Sequence, residues 1–86
     1  MSEGTVAGDR LQDLIAYIAS SLVDDPDAVE VNVVEEDRAV VLELTVAPDD
    51  LGKVIGKEGR TARAMRTLLA ATSARLHKRA ILDILE

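Results

Sequence analysis

The segment Val54-Ile55-Gly56-Lys57-Glu58-Gly59-Arg60-Thr61 sets two glycines three positions apart, with Lys57 and Glu58 between them and Arg60 directly after. Glycines at that spacing allow a sharp turn through backbone angles that other residues avoid, and without Cβ atoms the chain can come close to a sugar-phosphate backbone. A helix opening at the second glycine adds free N–H groups and a positive dipole end, both of which favour phosphate oxygens. The chemistry on offer is anion contact, with no bond made or broken. Two glycines bracketing a helix–helix turn also occur for purely structural reasons, so the surrounding elements carry as much weight as the loop.

Other chemistries find less support. Gly52-Lys53-Val54-Ile55-Gly56-Lys57-Glu58 imitates a nucleotide-binding P-loop, yet it is one spacer short and puts Glu58 where Ser or Thr should meet magnesium. His77 is the one histidine, and no nucleophile, base and orienting acid stand in motif context, so an enzyme is not expected. The absence of cysteine excludes disulfides and thiolate sites, which is ordinary in a reduced intracellular compartment. Asp24-Asp25-Pro26-Asp27 gathers carboxylates but lacks the calcium loop with its distal bidentate Glu, and reads as a solvated turn. No cofactor and no metal are expected. No apolar run approaches the roughly 20 residues that span a membrane, and the N-terminus has no basic-then-apolar leader. The expected location is the cytoplasm, without a membrane partner.

A net charge of −6 argues superficially against a polyanionic partner. Its distribution reverses that impression: residues 1–51 sum to −11, residues 52–79 to +7 and the last seven residues to −2. A bound backbone feels the local field within a Debye length of about 8 Å. Lys53, Arg63 and Arg66 become candidate contacts on this ground alone.

The elements that must position these groups follow from hydrophobic periodicity. With 86 residues there is room for one domain, and the core must be aliphatic because Tyr17 is the single aromatic. Residues 1–8 read as a flexible tail and 9–86 as the domain. Leu11, Leu14, Ile15, Ile18 and Leu22 share one stripe of a helix capped by Asp9. Val29, Val31 and Val33, then Val40, Leu42, Leu44 and Val46, alternate with other residues as the inward faces of two strands, joined tightly through Glu35 to Arg38 as an antiparallel hairpin. Pro48 opens a short helix whose positive end suits Asp49 and Asp50, and whose apolar face is Leu51, Val54 and Ile55. It stops at Gly56. A longer helix runs from about Gly59 to Ala74, with Ala62, Met65, Leu68, Leu69, Thr72 and Leu76 on one arc, Arg60 and Arg63 roughly opposite, and Arg66 at the margin. Ala80 to Leu85 reads as a third strand with Leu82 and Ile84 inward, a helical tail being the alternative. The order helix, strand, strand, helix, helix, strand predicts an α+β domain, helices against one face of a three-stranded sheet.

A Gly-x-x-Gly loop between two helices, in that element order, is what KH domains use to clamp about four nucleotides of RNA. From about Leu11 to Glu86 the chain resembles the small stand-alone bacterial KH proteins of the KhpA family, most closely over Tyr17–Val23 (YIASSLV) and Val41–Thr61 (VLELTVAPDDLGKVIGKEGRT). The resemblance implies a type II KH fold, binding of single-stranded RNA with little sequence preference as an RNA chaperone or post-transcriptional regulator, a homodimer, and often a larger KH-containing RNA-binding partner. Position by position it implies that Gly56 and Gly59 shape the clamp, Lys57 meets phosphate, Arg60 sits beside it and Ile55 lines the groove for bases. Glu58 departs from this scheme, because a carboxylate inside the loop opposes phosphate. Phe and Trp are absent, so base stacking of the RRM kind is not expected.

The competing expectation is a protein-interaction scaffold, with RNA contact secondary or supplied by the partner. Val34, Val41, Ile81 and Leu85 fall on the outward side of the predicted sheet, and Ala64, Ala70, Ala71 and Ala74 leave the outer surface of the long helix small. Exposed apolar groups of that kind can mark an interface.

Overall fold

The computed structural model describes residues 3–74 and 77–86. Six elements follow one another: α1 (Glu3–Leu22), β1 (Glu30–Glu35), β2 (Ala39–Thr45), α2 (Leu51–Ile55), α3 (Arg60–Ser73) and β3 (Arg79–Ile84). Single 3-10 turns at Pro26–Ala28, Pro48–Asp50 and Lys57–Gly59 join them.

The first helix is longer than its periodicity implies. It begins at Glu3, so Asp9, expected as its cap, lies within it, and the described part of the expected tail has helical backbone. Gly8 lies inside this helix, where glycine costs about 1 kcal/mol relative to alanine. Packing explains its presence: a Cβ there would stand 3.2 Å from Cγ1 of Val33 on β1, so the helix crosses the strand at a point with little space for a side chain. The buried stripe is Leu11, Ile15 and Ala19 rather than one that continues to Leu22, which is exposed at the last turn.

β1 and β2 pair antiparallel, with Val31 opposite Leu44 and Val33 opposite Leu42. β3 then pairs parallel to β2, with Leu82 opposite Leu42, giving the sheet order β1-β2-β3. The parallel direction follows from the connection, because α2 and α3 carry the chain back along the sheet before β3 begins, as parallel neighbours require. The helical tail considered for residues 80–85 does not form.

Alternation buries Val40 and places Val31, Leu42, Leu44 and Leu82 under the helices, where they meet Leu11, Ile15, Val54, Met65 and Leu69 in one aliphatic core. The arc expected on α3 is shifted: Ala62, Met65, Leu69 and Ser73 are buried, whereas Leu68 is 48% exposed and Thr72 lies outside the core. Leu76 lies outside the described residues. On the open face of the sheet, Val34, Val41 and Ile81 are cross-strand neighbours and form one apolar row. β3 is an edge strand, paired on one side only, and this decides the shape of the site.

Candidate nucleic-acid interface

The loop between α2 and α3 is built from left-handed backbone. Gly56 has φ 77° and ψ 172°, Glu58 φ 58° and ψ 24°, and Gly59 φ 74° and ψ 15°, after which Arg60 starts α3 with helical angles. The two glycines are needed for different reasons. At Gly56 a Cβ would collide with the Thr61 hydroxyl and stand 2.8 Å from the Thr61 amide nitrogen, so both angle and space demand glycine. At Gly59 the space is open, and only the positive φ favours glycine. The Gly59 N–H donates to the Gly56 carbonyl at 3.1 Å, which closes the turn.

Glu58 occupies left-handed space without being glycine, a conformation that costs roughly 1–2 kcal/mol for an ordinary L-residue. Its carboxylate lies 3.5 Å from the Arg60 guanidinium, and its carbonyl accepts a 3.4 Å bond from Arg63. The carboxylate inside the loop is thus paired with the first base of α3.

Beside the loop, a groove of about 500 Å³ runs between α3 and the end of β3. Ile55 and Gly59 line one end, Ala62, Arg63 and Arg66 one wall, and Ile84 and Glu86 the other. Arg66 donates to the Leu82 carbonyl at 3.2 Å, tying α3 to β3. The structure therefore brings together Ile55, Gly59, Arg63 and Arg66 around one concavity, whereas Lys57, Glu58 and Arg60 are exposed on the adjoining turn and do not line it, and Gly56 forms the turn.

Lys53, a candidate from charge alone, is placed elsewhere. Its ammonium donates to Asp24 at 3.0 Å and to Asp50 at 3.1 Å, and it does not line the groove. Asp50, expected only to complement a helix dipole, is 3% exposed and is the centre of this cluster. One of its oxygens takes the Lys53 ammonium and the other the Asp25 N–H at 3.0 Å, so the turn after α1 is tied to the start of α2. Burial pushes the Asp50 carboxyl up, but the Lys53 bond and the Asp25 and Asp24 amides outweigh it and hold the group below its ordinary 3.8. The hydrogen bonds to Asp24 and Asp50 raise Lys53 above its ordinary 10.5. Asp24 accepts the Lys53 ammonium while its side chain stays exposed, so the acidic turn is solvated as expected and carries one surface ion pair. The one sequence signal for this cluster was the i,i+3 spacing of Asp50 and Lys53.

The KhpA/KhpB KH-domain family matches residues 12–84, which include the whole loop and groove. This chain belongs to that family. Among similar proteins, the RNA-binding protein KhpA of Caldanaerobacter subterraneus is 51% identical over 73 residues, 85% of this chain and 97% of that protein. The RNA-binding protein KhpA of Aquifex aeolicus is 50% identical over 76 residues, 88% of this chain and 96% of that protein. That of Borreliella burgdorferi is 49% identical over 74 residues, 86% of this chain and 90% of that protein. The architecture of α1 to β3 is accordingly a type II KH fold, and the KhpA/KhpB family is not one of enzymes. Among the described residues no helix is long and apolar enough to cross a membrane.

Proposed function

We propose that this protein binds single-stranded RNA, clamping the backbone at the Gly56–Gly59 loop and turning bases into the groove between α3 and β3. The observation that carries the reading is the Gly56–Gly59 turn opening α3 beside a groove whose walls hold Arg63 and Arg66. The turn lets a phosphate approach backbone N–H groups, and the aliphatic floor of Ile55 and Ile84 accepts bases without an aromatic platform. Its relatives bear the name RNA-binding protein, which points the same way. In this reading the protein is a cytoplasmic RNA chaperone or post-transcriptional regulator of modest affinity, because Glu58 occupies Arg60. The double variant Lys57→Asp with Glu58→Asp tests it. Retention of single-stranded RNA should be lost while the circular dichroism stays unchanged; undiminished retention removes the loop from the mechanism.

A second reading, assembly, is favoured by exposed apolar surface. α3 turns three different sides to its surroundings, and the four alanines expected as one outer surface are divided between two of them. Ala64 and Ala71 flank exposed Leu68, whereas Ala70 and Ala74 line a cavity beside β3. A homodimer through Ala64, Leu68 and Ala71 would leave the groove open and raise avidity by holding two four-nucleotide clamps together. A larger KH-containing RNA-binding protein is the corresponding heteromeric partner, and the row Val34, Val41 and Ile81 is the other surface able to receive it.

A further inference from the structure

Beyond the loop and its groove lies a second concavity of about 520 Å³, at the opposite end of α3 and β3. Ala70 and Ser73 of α3, with Ala74 at its C-cap, form one wall. Arg38 from the hairpin between β1 and β2, together with His77, Lys78 and Arg79 at the start of β3, forms the other. The two basic segments lie about forty residues apart in sequence and are joined by the backbone, the Arg79 N–H donating to the Arg38 carbonyl at 2.9 Å. His77 turns the chain through φ 55°, a left-handed angle at which histidine is enriched among non-glycine residues.

Both concavities lie along the crevice where α3 meets β3. Their α3 residues are 62, 63 and 66 for the first and 70 and 73, with 74 at the C-cap, for the second, which at about 100° per residue fall within a single stripe roughly 120° wide. Their β3 residues run along the same strand, whose far edge has no partner strand. Arg66, bonded to Leu82, stands between them. With Lys53 held by Asp24 and Asp50, most of the remaining basic side chains among the described residues are distributed along this crevice: Arg63, with Lys57 and Arg60 on the adjoining turn, at one end, Arg66 between, and Arg38, Lys78 and Arg79 at the other end. Glu86 is the acid that lines the first end; Glu36 and Asp37, adjacent to Arg38 in the chain, do not line the second.

We infer that the RNA strand continues past the four-nucleotide clamp along the α3–β3 crevice, its phosphates received by Arg38, Lys78 and Arg79. The rise from Arg63 to Ala74 is roughly 16 Å at 1.5 Å per residue, so the second site lies beyond the loop's immediate reach. The small wall at Ala70, Ser73 and Ala74 leaves room for a backbone, and the facing wall is mostly cationic, so this end adds affinity and length preference through phosphate contact.

The inference rests on the RNA-binding reading, and oligouridylates of two lengths separate them. Fluorescence anisotropy across a salt series is measured for tetrauridylate and decauridylate, with wild type and the Arg38→Ala, Lys78→Ala, Arg79→Ala triple variant. Wild type should bind decauridylate more tightly than tetrauridylate, and the triple variant should lose that advantage while binding tetrauridylate unchanged. Its log-log salt slope for decauridylate should fall in magnitude by about 2, each phosphate no longer neutralised accounting for about 0.7. The double variant Arg38→Gln with Arg79→Gln keeps part of both side-chain stems and should lower the slope by about 1.4. A length advantage that survives in both variants, as bridging of two protein copies would produce, overturns the extended track. So does the absence of any length advantage in wild type. If the Lys57→Asp, Glu58→Asp loop variant binds both lengths normally, the clamp itself is wrong, which is a different result.

Discussion

The guanidinium of Arg66 on α3 and the carbonyl of Leu82 on β3 are joined at 3.2 Å, across the middle of the crevice that the loop opens into. The bond satisfies a carbonyl near an unpaired strand edge and fixes the separation of the two walls. A hydrogen bond from a charged donor contributes about 1.5–3 kcal/mol, less where water competes as it does here. Arg66→Met, which keeps the stem, should therefore destabilise the fold by about 1 kcal/mol in urea titration and weaken RNA binding more than Arg63→Met does. Equal effects of the two changes on binding would mean that the Arg66 bond has no part in shaping the groove.

Asp50 and Lys53 make stability depend on pH in two windows. A carboxyl held below its ordinary 3.8 contributes stability that is present above that value and lost as pH falls through the lower folded value. A lysine held above 10.5 contributes stability that is present below that value and lost as pH rises through its folded value. Asp50→Asn should lower the midpoint of thermal unfolding at pH 7, and its deficit relative to wild type should shrink on acidification below about pH 4. A deficit independent of pH would assign the effect to packing alone.

The two glycines of the loop should not respond alike to alanine. Gly59→Ala meets open space and incurs only the left-handed backbone, about 1 kcal/mol. Gly56→Ala adds a collision with Thr61, so its loss should exceed about 2 kcal/mol and should be partly recovered by Thr61→Ala, which removes the hydroxyl that the new Cβ would strike without restoring the angle. Chemical denaturation of the four variants decides this, and equal losses at 56 and 59 would remove Thr61 from the account.

Glu58 pairs with Arg60 on the turn adjoining the groove, so replacing it frees a base as well as removing an acid. Glu58→Lys should tighten RNA binding and steepen the log-log salt slope by about 0.7 for each additional phosphate neutralised. Glu58→Asn, which tolerates left-handed backbone, should also tighten binding but by less, while raising stability by roughly a few tenths of a kcal/mol. Unchanged affinity in both variants would mean that the side chain points away from the strand.

Assembly is tested by sedimentation at micromolar concentration, with Leu68→Glu and Val41→Glu beside wild type. The expected result is a wild-type dimer that dissociates in Leu68→Glu and persists in Val41→Glu. Dissociation by Val41→Glu alone moves the contact to the row Val34, Val41 and Ile81. A monomeric wild type ends the proposal.

Local regularities carried the sequence reading where they were strong. Alternation in Val40-Val41-Leu42-Glu43-Leu44 can bury only one side of a strand, and Gly56 and Gly59 between two apolar turns can only be a tight helix–helix junction, so the element order and the turn were legible from residue type and spacing. The start of α1 was not, because the propensity of Gly8 argues against helix while a tight approach to Val33 calls for a small residue. The buried face of α3 slipped for a related reason: Leu68 and Leu69 are equally hydrophobic, and only the crossing of α3 over β3 selects Leu69 for the core. Charge was the least readable of all. Lys53 and Lys57 look alike four residues apart, yet a buried Asp50 and the turn after α1 take the first ammonium away. Arg38 and Arg79 look unrelated, yet the parallel pairing of β3 with β2 sets them side by side. Periodicity records which side of an element avoids water, a property of neighbouring residues. Which charges share a surface depends on strand direction and order, and those are settled by packing between segments far apart in the chain.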